Sequence, residues 1–456
     1  MPHHSPFVRS ARVGVALLAT FGAVLLLPGT AVGAPAGSAA TVTSDPAEAA
    51  AGWLAAQLVG GDHIEVEIDL NGDREITDDE RFPDYGLTAD TIIALAAAGV
   101  GAEAISVATD YLEANIELYV GDADDSTPAL DGEYYAGSLA KALLVADVTG
   151  RDPGNFGEVD LLGRLLATET PSGRFSDISE FGDFSNNIGQ SFAALALSRA
   201  APASLSPAAR AFLPGQQCVD GEPRDGNVPV VVDADPCAAD TASVDSTSFA
   251  TQAMFATEQT GGAEAGIAFL LGEQDADGRF SDMGMYNSNS TGLGAQALRV
   301  GGEDVRADDA AAWLLVYQID CDAPVDQQGA IGFTTNPDLQ PLYDDRATRA
   351  TAQATPGLVG IGLAEITAEG ATPAAPRLDC DSTPTTTPTP SPTPTPTQSP
   401  TPTASPTHPT ASPTTSHPGL PNTGTAVGPL LGLAAGSLVL GGGLVLAGRR
   451  RTGDHR

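Results

Sequence analysis

A two-helix pattern of apolar and polar positions recurs between residues 41 and 380. Each unit opens with a helix carrying an aromatic residue, or once a leucine, followed by leucine. A loop rich in glycine and aspartate comes next, and then an alanine-rich helix that begins with polar residues. The period, roughly 45 to 60 residues, is typical of helical repeats. The opening helices contain Trp53-Leu54, Tyr111-Leu112, Leu165-Leu166, Phe212-Leu213, Phe269-Leu270 and Trp313-Leu314.

The second helix of each unit is rich in alanine, glycine and serine, so its neighbours can approach closely in an inner layer. Ile92, Leu95 and Ala96 follow helical spacing, and no alternating run of strand-forming residues competes with it. We therefore predict an all-α domain over residues 41–380, an α/α toroid of about six helical hairpins. The second helices are expected to begin near Thr88, Ser138, Asn187, Ser248, Thr291 and Thr348.

One loop sequence occurs twice without change, at residues 173–177 and 278–282. The second copy lies in the pattern Gly266-x-x-Phe269-Leu270-x-x-x-Gln274-x-x-x-Gly278-x-Phe280, which resembles the QW repeat of terpenoid cyclases such as squalene cyclase. The same toroid occurs in protein prenyltransferase β-subunits and in the α-domain of intrinsic factor and transcobalamin. The resemblance implies a packing role for Gln274 and Phe280.

The two ends of the chain predict export and anchoring. Residues 1–36 combine two arginines, an apolar run and small residues, as in a secretory signal peptide. Residues 381–419 are a stalk rich in Pro, Thr and Ser, a composition that favours extended polyproline II. Residues 427–447 are long and apolar enough to span a membrane, and arginines follow them.

Residues 420–456 resemble the LPxTG sorting signal of Gram-positive surface proteins through Leu420, Pro421, Asn422, Thr423 and Gly424. The resemblance implies cleavage by sortase between Thr423 and Gly424. It also implies covalent attachment to peptidoglycan, so sortase and peptidoglycan are the expected partners and the cell wall the expected location.

Charge and composition exclude one class of partner and one kind of metal site. Lys and Arg total 21 against 58 Asp and Glu, a net charge of −37, which excludes nucleic acid as a partner. His63 is the only histidine in residues 41–380, and Lys141 is the only lysine of the chain. A histidine-ligated zinc site is therefore not expected.

Four cysteines in an exported chain predict disulfides. Three pairings are possible, and we favour Cys218 with Cys237 and Cys321 with Cys380. The first pair would close a loop rich in Pro and Asp. The second would fasten the last hairpin to the end of the domain.

Two acidic motifs suggest specific chemistry. Asp69, Asn71, Asp73 and Glu80 match calcium-ligand positions of an EF-hand loop, so calcium is a candidate cofactor, although Arg74 stands where that loop needs glycine. Residues 122–125 spell the D-x-D-D acid motif of class II terpene cyclases. Its polar surroundings predict ionised carboxylates, so we expect no catalysis there.

In a toroid the inner helices run parallel, so their N-termini gather at one mouth and offer N–H donors. Polar and aromatic residues just before or at these starts are candidate ligand contacts, with no catalytic residue assigned. They are Tyr85, Tyr134, Tyr135, Asn186, Asp245, Tyr286, Asn289 and Arg346.

These patterns favour a non-catalytic binding or interaction module for a small polar ligand or a surface partner. The alternatives are a secreted polysaccharide hydrolase or lyase and a corrinoid-binding protein. Buried carboxylates converging in the cavity would favour the hydrolase.

Overall fold

The structure is a computed structural model that describes residues 41–73, 75–121, 132–219 and 224–381. The predicted signal peptide, sorting signal, membrane span and D-x-D-D motif lie outside these residues, as does all but the first residue of the stalk. Within them, no helix is long and apolar enough to cross a membrane.

The described chain is helical, as predicted. Its helices are α1 (Pro46–Gln57), α2 (Tyr85–Ala98), α3 (Ala102–Ala114), α4 (Ile116–Val120), α5 (Ala136–Thr149), α6 (Leu161–Ala167), α7 (Asn187–Ala200), α8 (Pro207–Gly215), α9 (Val244–Ala256), α10 (Thr260–Glu273), α11 (Ser288–Val300), α12 (Asp304–Tyr317) and α13 (Ala347–Val359). Short 3-10 helices span Asp78–Glu80 and Ala239–Thr241.

Three two-stranded ribbons complete the secondary structure of the described residues. A parallel pair joins β1 (Val42–Thr43) to β6 (Arg377–Leu378), near the two ends of the domain. The antiparallel pairs are β2 (Glu65–Glu67) with β3 (Arg81–Pro83), and β4 (Ser281–Asp282) with β5 (Met285–Tyr286).

Six helices form a closed inner ring. Each of α2, α5, α7, α9 and α11 packs against the next helix in that order, α11 packs against α13, and α13 returns to α2. The other helices alternate with them along the chain and form the outer layer. The ring confirms the predicted α/α toroid of six hairpins.

Side chains at equal positions of neighbouring inner helices meet, so these helices run parallel. Lys141 and Asp90, each the sixth residue of its helix, lie 2.7 Å apart between Nζ and Oδ1. Phe192 and Phe249, also sixth residues, have ring centroids 5.0 Å apart. The N-termini of the inner helices therefore gather at one end of the ring.

Glutamines after three outer helices tie each helix to the next around the ring. Gln274 Nε2 donates to Gly278 O in its own loop at 2.7 Å and to Arg306 O in α12 at 2.9 Å. Gln217 bonds Gly226 O and Gly262 O in α10 in the same way. Gln318 bonds Gly329 O and Pro46 O, which joins the last outer helix to the first.

The glycine in the repeated loop is required by the same contact. Gly278 has φ +100°, and an added Cβ would lie 2.5 Å from Asp309 O of α12. A side chain would therefore clash with the next outer helix in addition to straining the backbone. The buried Phe280 packs in one core cluster with Ala307 and Ala310 of α12. Its N–H donates to Thr291 Oγ1 of α11 at 3.1 Å, which links the loop to the inner ring.

The C-terminal end of the ring is covered by residues 361–372, here called the closing segment. Backbone N–H and C=O groups of this segment form hydrogen bonds with residues on five inner helices or their C-caps, so the segment lies across the ring. Gln296 Nε2 donates to Ile361 O, and Leu363 N donates to Gln252 Oε1. The Arg199 guanidinium donates to Leu363 O and Ile366 O. Ala368 N donates to Val148 O, and Thr372 N donates to Gly99 O.

The cysteines form the two close pairs predicted from the sequence. The sulfur atoms of Cys218 and Cys237 lie 1.99 Å apart, and those of Cys321 and Cys380 lie 2.06 Å apart. The second pair joins the chain that follows the closing segment to the loop after α12.

Candidate functional site

The closing segment identifies which face of each inner helix points to the axis of the ring. Arg199, Gln252 and Gln296 reach the segment with their side chains. A residue seven positions earlier lies on the same helix face, about 10 Å closer to the N-terminus. These earlier residues are Phe192, Asp245 and Asn289.

Side-chain contacts link Asp90 to Lys141, Lys141 to Phe192, Phe192 to Phe249, and Asn289 to Gln353. Asp245 and Asn289 are the second residues of their helices, about 6 Å nearer the N-terminal end than the sixth residues Phe192 and Phe249. We call the resulting cluster the axial chamber. Its members are Asp90 of α2, Lys141 of α5, Phe192 of α7, Asp245 and Phe249 of α9, Asn289 of α11, and Gln353 of α13.

Solvent still reaches the chamber side chains. Asp90 and Asn289 are each 9% exposed and Phe192 is 6% exposed, whereas the adjacent Ala89 and Ala193 are fully buried. Asp245 and Gln353 are only half-buried. Because the closing segment covers the C-terminal end, the chamber faces the N-terminal end.

The only lysine of the chain lies in this chamber. Lys141 Nζ donates to Asp90 Oδ1 at 2.7 Å and lies 5.1 Å from the centre of the Phe192 ring. Both side chains of the ion pair are largely buried, at 14% and 10% exposure. A buried charge is costly unless it is paired, so the pair fixes α5 against α2 and places an ammonium group beside an aromatic face.

A second ion pair lies at the start of the neighbouring helices. Arg349 of α13 donates to Asp84 Oδ2 at 3.1 Å, while Asp84 Oδ1 accepts from Leu87 N and caps α2. Burial raises the pKa of the Asp84 carboxyl, and the Arg349 charge partly opposes that rise.

Amide groups of the chamber link the last two inner helices. Asn289 Nδ2 donates to Gln353 Oε1 at 2.7 Å, which links α11 to α13. The tilted Phe192 and Phe249 rings provide the apolar part of the chamber, on α7 and α9.

Three buried acceptor oxygens at the chamber have no hydrogen-bond partner among the described residues: Asp90 Oδ2, Asp245 Oδ1 and Asn289 Oδ1. They come from α2, α9 and α11. A carboxylate or amide oxygen can only accept a hydrogen bond. Leaving such a group buried without a donor costs about 1–3 kcal/mol.

Asp245 is also the chamber residue with the most perturbed acidity. Burial and, to a smaller extent, the charge of Asp282 raise its pKa to about 7, against an opposing effect of the Ser290 hydroxyl. Asp282 Oδ1 accepts from Val244 N at 2.9 Å, at the first residue of α9. The pair thus combines a helix-capping carboxylate with an acid that holds its proton near neutral pH.

Asp177, in the first copy of the repeated loop, occupies the place that Asp282 has in the second. Its Oδ1 accepts from Ala136 N at the start of α5, at 2.8 Å. The repeated Gly-Arg-Phe-Ser-Asp sequence therefore places an aspartate at the N-terminus of an inner helix in both copies.

Of the eight residues predicted at the mouth, only Asp245 and Asn289 lie in the chamber. Tyr85 packs against Tyr111 and Tyr119 of the outer layer, and burial raises its pKa to about 12. Asn186 caps α7 by accepting from Gly189 N.

The other four predicted residues also have local partners. The Tyr134 ring lies 5.4 Å from the Arg164 guanidinium of α6. The Tyr135 hydroxyl donates to Glu133 and that of Tyr286 donates to Asp275. Arg346 pairs with Asp344 and stacks on Phe333.

The candidate calcium residues lie between β2 and β3, away from the chamber. Asp69, Asn71 and Asp73 accept from backbone N–H groups two or three residues further along the loop. The buried Glu80 accepts from Leu70 N and from Thr77. Among the described residues, no three His, Cys, Asp or Glu side chains form a metal cluster. Calcium binding stays a prediction.

The sequence analysis did not identify Asp90, Lys141, Phe192, Phe249 and Gln353 as site residues. Their position within each helix could have identified them, because four of them are the sixth residue of an inner helix and Gln353 is the seventh residue of α13. Lys141 carried a second signal, since a lone lysine in a strongly acidic chain needs a specific environment.

Comparison with known proteins identifies the anchoring segment. Residues 412–454 match the family model described as LPXTG cell wall anchor motif. No curated protein matches the chain.

Several solved toroidal enzymes are similar in structure. A variant of the type II terpene cyclase MstE from Scytonema, in complex with geranylgeranyl dihydroxybenzoate, has a TM-score of 0.49 at 14% identity, over 71% of this chain and 97% of that one. An unsaturated glucuronyl hydrolase specific for heparin has a TM-score of 0.48 at 14% identity, over 70% and 96%. An alpha-amylase from Clostridium perfringens has a TM-score of 0.45 at 12% identity, over 60% and 86%. No activity follows from these likenesses.

The anchor motif confirms the predicted location and the role of sortase and peptidoglycan. The closed ring of inner helices defines the body that is displayed. The chain is a secreted, sortase-processed surface protein, attached covalently to the cell wall, whose body is an α/α toroid.

Proposed function

We propose that the toroid is a non-catalytic binding module whose axial chamber holds a small hydroxylated ring compound, such as a monosaccharide unit. The observation that carries the proposal is the set of three buried oxygens, on Asp90, Asp245 and Asn289, that make no hydrogen bond among the described residues. The Ser290 hydroxyl lies near Asp245, whereas no hydroxyl of the described residues donates to Asp90 Oδ2 or Asn289 Oδ1.

The chemistry of these atoms selects the ligand. The Asp90 carboxylate oxygen and the Asn289 amide oxygen require hydrogen-bond donors, and the Asp245 carboxyl, with its pKa near 7, can accept or donate. The hydroxyl groups of a sugar or polyol do both, and they supply several donors on one small ring. Binding would satisfy groups that otherwise remain buried without a partner.

The aromatic side chains select a ligand with an apolar face. Phe192 and Phe249 line one side of the chamber with centroids 5.0 Å apart. A sugar ring has C–H faces that pack on aromatic rings while its hydroxyl groups point outward. An apolar wall with a few convergent polar groups is the usual composition of a small-molecule site.

Titration calorimetry tests the proposal with glucose, N-acetylglucosamine and inositol, with a corrinoid as a probe of the alternative ligand class. We expect binding of at least one hydroxylated ring and none of the corrinoid. Asn289→Leu should weaken binding about tenfold or more, because it removes an acceptor. Asn155→Leu, in an exposed loop, is the matched control. Absence of binding by every hydroxylated ring, or equal losses in both variants, would contradict the proposal.

One observation favours a second candidate, hydrolysis of a glycosidic bond. An acid whose pKa is about 7, as for Asp245, can hold and donate a proton at neutral pH. Release of reducing ends from a polysaccharide by the wild type, and its loss in Asp245→Asn with binding retained, would establish this activity.

A further inference from the structure

Three loop segments border the N-terminal ends of α5, α7 and α9. Here they are called the rim, comprising residues 174–186, 229–240 and 275–286. Asp177 accepts from the first N–H of α5, Val230 O accepts from Asn187 N of α7, and Asp282 accepts from Val244 N of α9. The rim therefore lies at the end of the ring that the chamber faces.

The rim segments form one surface. Arg174 Nη2 lies 2.8 Å from Asp183 Oδ2 in the first segment, and its Nη1 lies 4.0 Å from Asp233 Oδ2 in the second. The second and third segments both bond the first turn of α9, where Ser246 Oγ donates to Pro229 O at 3.0 Å and Val244 N donates to Asp282 Oδ1 at 2.9 Å.

Five large apolar side chains on the rim are exposed. Phe184 is 72% exposed, Met283 71% and Val231 64%, while Met285 is 50% and Ile178 43% exposed. Exposed apolar side chains that cluster on one surface indicate an interaction site. Two of the four methionines of the chain stand here, and methionine is common on surfaces that adapt to their partners.

The same segments are strongly acidic. They contain nine Asp and Glu residues against two arginines. Both arginines are already engaged, because Arg174 contacts Asp183 and Arg279 Nε lies 3.2 Å from Asp277 Oδ2. A second copy of this chain would bring like charges together, and anionic polymers or lipids would be repelled.

We propose that the rim is a docking surface for a cationic, amphipathic polypeptide. Basic side chains of the partner would complement the acidic residues, and its apolar side chains would cover Phe184, Val231 and the two methionines. The apolar rim residues are not members of the axial chamber, although the rim residue Asp282 lies beside Asp245 of the chamber. The proposal does not depend on the ligand bound there.

The test uses the full protein released from the wall by a peptidoglycan hydrolase. The probe is a synthetic helical peptide of lysine and leucine, and its matched control has the same lysines with serine in place of leucine. We expect the Lys/Leu peptide to bind at least tenfold more tightly than the Lys/Ser peptide, and its affinity to fall with salt.

A double variant, Phe184→Ser with Met283→Ser, should weaken binding of the Lys/Leu peptide at least tenfold. Val305→Ser with Val325→Ser removes apolar side chains that are 73% and 68% exposed elsewhere, and should leave binding unchanged. Equal binding of both peptides, or equal losses in both double variants, would overturn the proposal. So would dimerisation, seen by ultracentrifugation, that the rim variant abolishes, because the occupant would then be a second copy.

Discussion

The two ends of the helical ring differ in how their axial polar side chains are hydrogen-bonded. At the C-terminal end, the side chains of Arg199, Gln252 and Gln296 form hydrogen bonds with the backbone of the closing segment. Two turns nearer the N-terminal end, Asp90, Asp245 and Asn289 carry acceptor oxygens without a partner among the described residues. Helices α9 and α11 thus each use one axial residue to hold the closing segment and leave another, seven positions earlier, available for a ligand.

The difference shows that polarity inside the ring is not itself evidence of function. A buried glutamine that bonds the closing segment is structural, whereas a similarly buried asparagine with an orphaned oxygen is a candidate contact. Four changes test this division, and they are given in order of decreasing effect.

The largest effect is expected at the chamber ion pair. Lys141→Met leaves Asp90 buried without its countercharge and should lower the free energy of unfolding by about 3–5 kcal/mol. Denaturant titration measures the loss. Arg151→Met, which breaks a more exposed pair with Asp110 and Glu113, should cost less than about 1 kcal/mol. Similar losses in both variants would show that the chamber pair is an ordinary surface contact.

The cysteine pair beyond the closing segment should have the next largest effect. Cys321 and Cys380 are 59 residues apart, so replacing both with serine should cost about 4 kcal/mol by chain entropy. Cys218 and Cys237, 19 residues apart, should cost about 3 kcal/mol. Thermal unfolding of the two double variants gives the order. The reverse order would contradict the role of Cys380 in holding the end of this segment.

A smaller loss is expected at the closing segment itself. Gln252→Leu leaves Leu363 N without its acceptor, at a cost of about 1–3 kcal/mol. Hydrogen exchange at Leu363 should accelerate while the affinity for the chamber ligand stays the same. Gln57→Leu loses only a contact within α1 and should show neither change. If Gln252→Leu abolished ligand binding, the contacts of the closing segment and the ligand contacts of the chamber would not be independent.

The smallest effect concerns the acidity of Asp245, because part of this side chain remains exposed. Its pKa is raised to about 7, so the stability that its protonated form contributes is complete below about pH 4. That stability falls as the pH rises to about 7. Asp245→Asn should remove this fall, so its Tm relative to wild type should rise between pH 4 and pH 8. A constant difference in Tm across this range would exclude the raised pKa.

Helix pairing could be predicted from sequence because each unit repeats the same local signals. Alanine-rich segments with polar starts identified the inner helices. Gln274 has the packing contacts that the cyclase resemblance implied for it, and Gly278 of the repeated loop lies against the next outer helix. Start positions were less accurate. For example, α9 begins at Val244, whereas Ser248 was expected near its start.

The closing segment and the chamber were harder to predict. Residues 361–372 have no helical or strand periodicity, and their position depends on bonds to residues more than 100 positions away, such as Gln252. Tyr85 and Tyr135 were proposed as mouth residues from their sequence proximity to helix starts. Tyr85 is the first residue of α2 and Tyr135 the N-cap of α5, whereas the axial side chains begin at the second residue.

The central claim is that the axial chamber holds a small hydroxylated ring. The most direct measurement is a crystal structure of the protein purified from its own cell wall and soaked with the tightest-binding sugar or polyol. The account predicts a ring beside Phe192 and Phe249, with hydroxyl groups donating to Asp90 Oδ2, Asp245 Oδ1 and Asn289 Oδ1. Ordered water alone at these three oxygens, with the compound bound elsewhere, would contradict it.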